Sequence, residues 1–189
     1  MRIVGGAWRG LGLAAVGKGD VAASLRPTSD RVRESIFNVL TNGAAGDVVD
    51  GAIVLDLFAG TGALGLEALS RGAEFATFVD NGRVARKLIA ENISKARAND
   101  VARVIGASAE RLPAADRPAT LVFLDPPYGK GLGERALGAA VQAGWIAEHT
   151  VIAWEEAEPM SCPAGFVERD RRRYGGTWVT FLEYGSAET

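Results

Sequence analysis

The chain has 189 residues, 48% of them hydrophobic and 23% charged, with a formal net charge of −2, a composition that can bury one full core and fits a compact soluble protein. With a single cysteine, Cys162, and a single histidine, His149, an internal disulfide and a zinc site of the usual Cys/His kind are excluded within one chain, and no metal is expected. Residues 1–20 lack the apolar core of a signal peptide and no apolar run reaches bilayer length, so the expectation is a cytoplasmic protein without membrane contact.

Charge is unevenly spread. Residues 1–46 hold six bases against three acids, a balance of +3, whereas residues 47–165 hold eleven bases and sixteen acids, a balance of −5. The basic end begins with "RIVGGAWRGLGLAAV", short β-like pieces broken by Gly5, Gly6 and Gly10 that predict a hairpin. "RPTSDRVRESIFNVL" predicts a helix with Thr28, Ser29 or Asp30 as N-cap and Val32, Ile36, Val39 and Leu40 as its buried face.

From residue 52 short apolar runs alternate with helical stretches. "AIVLDLF" (52–58) reads as a buried strand, and "ALGLEALSRG" (63–72) as a helix with Leu64, Ala68 and Leu69 on one face and Gly72 at its end. "FATFVD" (75–80) is a second strand, followed by a helix whose inner stripe is expected to be Val84, Leu88 and Ile89. "ARVIGAS" (102–108), "TLVFLDPPY" (120–128) and "TVIAWEEA" (150–157) continue the strands, with a helix near 132–143. Such alternation predicts a doubly wound α/β fold: a mostly parallel sheet covered on both faces. The tail, "GFVERDRRRYGGTWVTFLEYG", reads instead as two strands joined at Gly175 and Gly176, one of them entering the sheet antiparallel. Its basic cluster is expected to be a solvated hairpin tip.

"DLFAGTGALG" (56–65) lies between the first strand and its helix, where glycines allow a tight turn and close approach of a ligand to the helix N-terminus. Gly60, Gly62 and Gly65 satisfy the dinucleotide pattern, but Asp56 would set a carboxylate beside a pyrophosphate. The sulfonium and amino group of S-adenosylmethionine suit that carboxylate better. Asp80, ending the next strand, stands where an acid accepts hydrogen bonds from ribose hydroxyls. The candidate cofactor residues at this turn are therefore Asp56, Phe58, Ala59, Gly60, Gly62 and Asp80.

Asp125 ends the fourth strand, which neighbours the first in a doubly wound sheet, so its carboxylate is expected in the ligand crevice. Pro126 and Pro127 fix φ, which holds the Asp125 side chain and the Pro126 carbonyl as two acceptors, and Tyr128 adds a flat face. Two acceptors and a stacking plate describe a receptor for a planar ring bearing an amino group. Holding that amine would aim its lone pair at an electrophilic methyl, giving direct in-line transfer without a covalent enzyme intermediate.

"DLFAGTG" together with "DPPY" resembles the amino-methyltransferases of the class I, Rossmann-like fold. "RIVGGAWRG" and "RPTSDRVRESIFNVL" closely resemble the RsmD family, the bacterial 16S ribosomal RNA guanine(966)-N2 methyltransferases. The resemblance implies a seven-stranded sheet, S-adenosylmethionine at Asp56, Gly60, Gly62 and Asp80, and the guanine at Asp125, Pro126, Pro127 and Tyr128. Where many relatives carry Asp or Asn toward the adenine amine, this chain has Ser108, followed by Ala109; two residues after Asp80, where relatives often carry an acid, it has Gly82. The resemblance also implies a division into an RNA-gripping extension, 1–46, and a methyltransferase domain, 47–189, acting on 16S rRNA in the small subunit or an assembly intermediate; the lack of a long unexplained apolar stretch gives the expectation of a monomer. Arg2, Arg9, Arg26, Thr28, Arg31 and Arg33 are candidate RNA contacts, and Trp8 is either a base-stacking or a hairpin-packing residue. The rival readings are an adenine-N6 DNA methyltransferase, a nucleotide-binding oxidoreductase or sensor, and an RNA-binding assembly factor without turnover.

Overall fold

The computed structural model describes residues 1–15, 28–44 and 46–185. Its elements are α1 (Asp30–Asn42), β1 (Ile53–Leu57), α2 (Ala63–Ser70), β2 (Phe75–Val79), α3 (Arg83–Lys95), β3 (Ala102–Ile105), β4 (Ala119–Leu124), α4 (Leu132–Gln142), β5 (Ile146–Glu156), β6 (Phe166–Tyr174) and β7 (Thr177–Tyr184). The strands form one seven-stranded sheet in the order β3-β2-β1-β4-β5-β7-β6. Strands β1 to β5 run parallel, and β7 enters antiparallel between β5 and β6. This is the mostly parallel doubly wound sheet with an antiparallel tail that the alternation predicts. Winding reverses between β1 and β4, so the crevice at their carboxyl ends is the place where such sheets bind ligands.

Each strand feeds both faces of the sheet, because successive side chains point to opposite sides. Val54, Leu121 and Phe123 join one core with Phe37 of α1, Leu66 of α2 and Ile89 of α3. Leu55, Leu57, Val122 and Leu124 join the other with Ala136 and Leu137 of α4. Burying a side chain such as Phe37 contributes about 1.5–3 kcal/mol. Among the described residues no helix is long and apolar enough to cross a membrane.

Two helical faces differ from the sequence reading. Val84 is 38% exposed, and the inner stripe of α3 is Ala85, Ile89, Asn92 and Ile93. Asn92 takes a core position because its amide has partners there: it donates to the carbonyls of Thr61 (2.9 Å) and Ala14 (3.1 Å) and accepts from the Ala14 amide (2.7 Å). In α1, capped by Ser29, the buried residues are Arg33, Ile36, Phe37 and Leu40, not Val32 and Val39. Phe37 packs on Phe123 of β4 with ring centroids 5.5 Å apart.

The N-terminal segment is a looped pair joined by a single antiparallel bridge, Arg2 to Gly12, with Ile3 N–H donating to the Leu11 carbonyl at 3.0 Å. What holds it is α2. Glu67 accepts the amides of Val4 and Gly5, each at 2.8 Å, and Ser70 Oγ accepts the Trp8 amide at 2.9 Å. The polar side of α2 is thus buried under backbone donors, which is why all eight of its residues are inaccessible. In the tail, Gly175 has φ 63° in the β6–β7 turn. Arg169, Arg171 and Arg172 are paired with Glu183, Glu168 and Asp170, in keeping with a solvated hairpin.

Candidate active site

The carboxyl ends of the parallel strands carry a row of acids: Asp56 on β1, Asp80 after β2, Asp125 after β4, and Glu155 and Glu156 on β5. Register aligns them. Asp56 pairs with Phe123, Phe123 with Ala153 and Leu124 with Trp154, so Asp56, Asp125 and Glu155 project on the same side of the sheet, toward α1 and α2.

The glycine turn is built by left-handed backbone. Phe58, Gly60 and Gly62 have φ of 57°, 58° and 77°; Phe58 is the costly member, since a side chain is disfavoured there. The turn is tied to β2, where Ala59 N–H donates to the Val79 carbonyl at 3.1 Å, and closed on itself, where Gly62 N–H donates to the Ala59 carbonyl at 2.7 Å. Asp80 clamps it from β2, accepting the Gly60 amide at 3.0 Å and the Gly82 amide at 2.7 Å. Gly82 thus serves as a donor that fixes Asp80. Ser108 and Ala109 follow β3, beside β2; Ser108 Oγ accepts the Glu110 amide at 3.3 Å, and Ala109 is buried.

Asp56 is 2% exposed and lies under the turn, accepting the Gly65 amide at 3.0 Å in the first turn of α2. Burial pushes its carboxyl up to about 8; the Gly65 hydrogen bond opposes this and the Asp80 charge adds to it. Burial also raises the Asp125 carboxyl well above the usual range, and the charges of Glu155, Asp56 and Glu156 raise it further, against a hydrogen bond from Thr28. Every charge acting on Asp125 there is a carboxylate. Such a crevice disfavours a pyrophosphate and favours a cation, and its carboxyl oxygens can accept from an amino group and compensate a sulfonium.

Asp125 is followed by buried Pro126 and exposed Pro127, and half-buried Tyr128 donates its hydroxyl to Glu155 Oε1 at 2.8 Å. Burial raises the Tyr128 phenol, so it stays a neutral donor at physiological pH. Thr28 Oγ1 donates to Glu155 Oε2 at 3.0 Å. The sequence reading did not single out Glu155; its only trace was an acid at a strand's carboxyl end, beside Asp125 only once the β4–β5 register is known.

The candidate RNA residues separate. Thr28 belongs to the crevice. Arg2, Arg9 and Arg31 are exposed, and Arg2 pairs with Asp30 at 3.5 Å; Arg26 lies outside the described residues. Arg33 is a correction: it is 0% exposed and cannot reach a phosphate. Its guanidinium donates to the carbonyls of Thr28 (3.0 Å) and Arg2 and to Asp30 Oδ1 (2.8 Å), and faces Glu67 at 3.9 Å. It is paired and buried, as a core cation must be. Trp8 packs partly against the core and, with Arg9, Leu11, Lys95, Ala96 and Arg97, lines an open groove of about 390 Å³. Because α3 starts at the carboxyl end of β2, its last turn and this groove lie toward the opposite end of the sheet from Asp125.

Residues 1–183 match the family described as Conserved hypothetical protein 95. Ribosomal RNA small subunit methyltransferase D of Escherichia coli (strain K12) is 40% identical over 153 residues, 80% of this chain and 72% of that protein. The chain belongs to the RsmD family of methyltransferases. The protein of the same name from Haemophilus influenzae is 32% identical over 169 residues, 86% of this chain and 83% of that one. The solved structure of yhhF from Escherichia coli superimposes with a TM-score of 0.82 at 33% identity, covering 99% of both chains. An RNA methyltransferase fold from Pyrococcus horikoshii, PH1948, at 18% identity and a TM-score of 0.71, shares the fold alone. For an RsmD-family enzyme, the acid-lined crevice between β1 and β4 is the part of the molecule suited to methyl transfer.

Proposed function

We propose that the protein transfers a methyl group from S-adenosylmethionine to the exocyclic N2 amine of a guanine in 16S ribosomal RNA, within the small subunit or an assembly intermediate. The observation that carries this reading is Asp125, half-buried at the carboxyl end of β4 beside the glycine turn of β1, with two prolines and a Glu155-anchored tyrosine after it. The names of the relatives support the RNA class. In this reading residues 1–46 help grip the RNA, residues 47–189 carry the chemistry, and the protein acts as a monomer.

The cofactor supplies an electrophilic methyl on a sulfonium. Asp80 would accept from its ribose hydroxyls, with Ser108 and Ala109 at the adenine; Phe58, Ala59, Gly60 and Gly62 bring backbone close to it, and Asp56 compensates its positive charge. Asp125 and the Pro126 carbonyl accept the two amine protons of the target base and Tyr128 stacks on the ring, which orients the nitrogen lone pair. As the new bond to nitrogen forms, Asp125 takes up the proton the amine must lose. Its raised pKa makes it a stronger acceptor for that proton than an ordinary carboxylate. Arg2, Arg9 and Arg31 hold phosphates.

A thermal shift tests the cofactor assignment. S-adenosylmethionine at 100 times its Kd should stabilise the protein by about 2.7 kcal/mol; stabilisation by NADH in its place would overturn the reading.

A further inference from the structure

Leu124 and Trp154 are the last paired residues of β4 and β5, so the next residues, Asp125 and Glu155, stand side by side at the crevice. Glu155 is only 7% exposed. One of its oxygens accepts the Tyr128 hydroxyl at 2.8 Å and the other accepts Thr28 Oγ1 at 3.0 Å. The carbonyl of Thr28 is in turn held by Arg33 at 3.0 Å.

We propose that Glu155 is a positioning residue for methyl transfer: it fixes the Tyr128 ring through the phenol hydroxyl and, held by Thr28 beside Asp125 on the neighbouring strand, sets the charge that the Asp125 carboxylate meets as it holds the target amine. The proposal rests on the reading that the amine is held at Asp125. Two carboxyl groups side by side give the arrangement a proton dependence, because a like charge disfavours the ionisation of its neighbour. The groups around Asp125 are Glu155 from β5, Asp56 from β1, Thr28 ahead of α1 and Tyr128 from its own loop, with the charge of Glu156 acting from the other side of β5. Removing the Glu155 charge therefore lowers the affinity of Asp125 for a proton.

The test is methyl transfer to unmethylated small-subunit RNA by wild type, Glu155→Gln and Tyr128→Phe, with kcat and KM followed across pH and cofactor Kd measured by calorimetry. Glu155→Gln should lower kcat about 10–100-fold, the scale of a misplaced reacting group, and leave cofactor Kd within about twofold. The acid limb of its kcat–pH profile should move to lower pH. Tyr128→Phe removes one hydrogen bond and no carboxylate, so kcat should fall with the acid limb in place; this variant keeps the test informative if Glu155→Gln folds poorly. An active wild type with an unchanged kcat and acid limb in Glu155→Gln overturns the positioning role alone. A wild type that methylates no RNA amine overturns the underlying reading, and the role with it.

Discussion

Replacing Arg33 by Ala separates two accounts of the basic N-terminus. If Arg33 were a phosphate contact, its loss would weaken RNA binding and leave folding untouched. The structure instead gives it 0% exposure, hydrogen bonds to Thr28, Arg2 and Asp30, and Glu67 at 3.9 Å. Glu67 keeps Arg71 at 2.8 Å and the amides of Val4 and Gly5 in the variant, but two carbonyls and part of a buried carboxylate's compensation are lost. Breaking a buried ion pair by removing one partner costs about 3–5 kcal/mol. At about 2–4 °C per kcal/mol for a protein of this size, Tm should fall by roughly 6–20 °C. Urea unfolding of wild type, Arg33→Ala and Arg31→Ala gives the comparison; exposed Arg31, on the same helix, should change stability by no more than about 0.5 kcal/mol. An Arg33 variant as stable as wild type would refute the buried-network account.

Gly65→Ala should destabilise by about 1–3 kcal/mol and weaken cofactor binding, since its Cβ would lie 2.4 Å from Cε1 of buried Phe78 and 3.2 Å from Asp56 Oδ2; denaturation and calorimetry check both effects. Asp56, raised to about 8, binds its proton more tightly in the folded protein than in the unfolded chain. Its contribution to stability is full below the unfolded value near 4 and is lost as pH rises through about 8, so between those values Asp56→Asn should flatten the fall of Tm with pH. The same ionisation predicts that cofactor binding at pH 7 releases protons, read as a dependence of binding heat on buffer ionisation enthalpy; no release would contradict the charge assignment. Asp125→Ala should nearly abolish turnover while cofactor Kd survives, and undiminished turnover would mean the amine is held elsewhere.

The alternation of apolar runs and helices made the sheet legible, because buried parallel strands need continuous apolar runs and the glycine turn marks where the first helix begins. Asp56, Asp80 and Asp125 were readable as strand-end acids for the same reason. Helix faces were less so. Val84 looks like a core residue by its apolarity, yet the inward position belongs to Asn92, whose value depends on Ala14 and Thr61, far away in sequence. Arg33 is a basic residue in a basic stretch, and only the packing of α1 against α2 makes it a core cation. Glu155 escaped notice because the acid itself carries no motif; its meaning comes from the β4–β5 register and from Thr28, 127 residues away in the chain.

The most direct test is transfer of labelled methyl from S-adenosylmethionine to small ribosomal subunits lacking their natural methylations, with unmethylated DNA in parallel and nucleoside analysis of the products. The account predicts N2-methylguanine in 16S RNA and none in the Asp125→Ala reaction. N6-methyladenine in the DNA, with the RNA unlabelled, would contradict it.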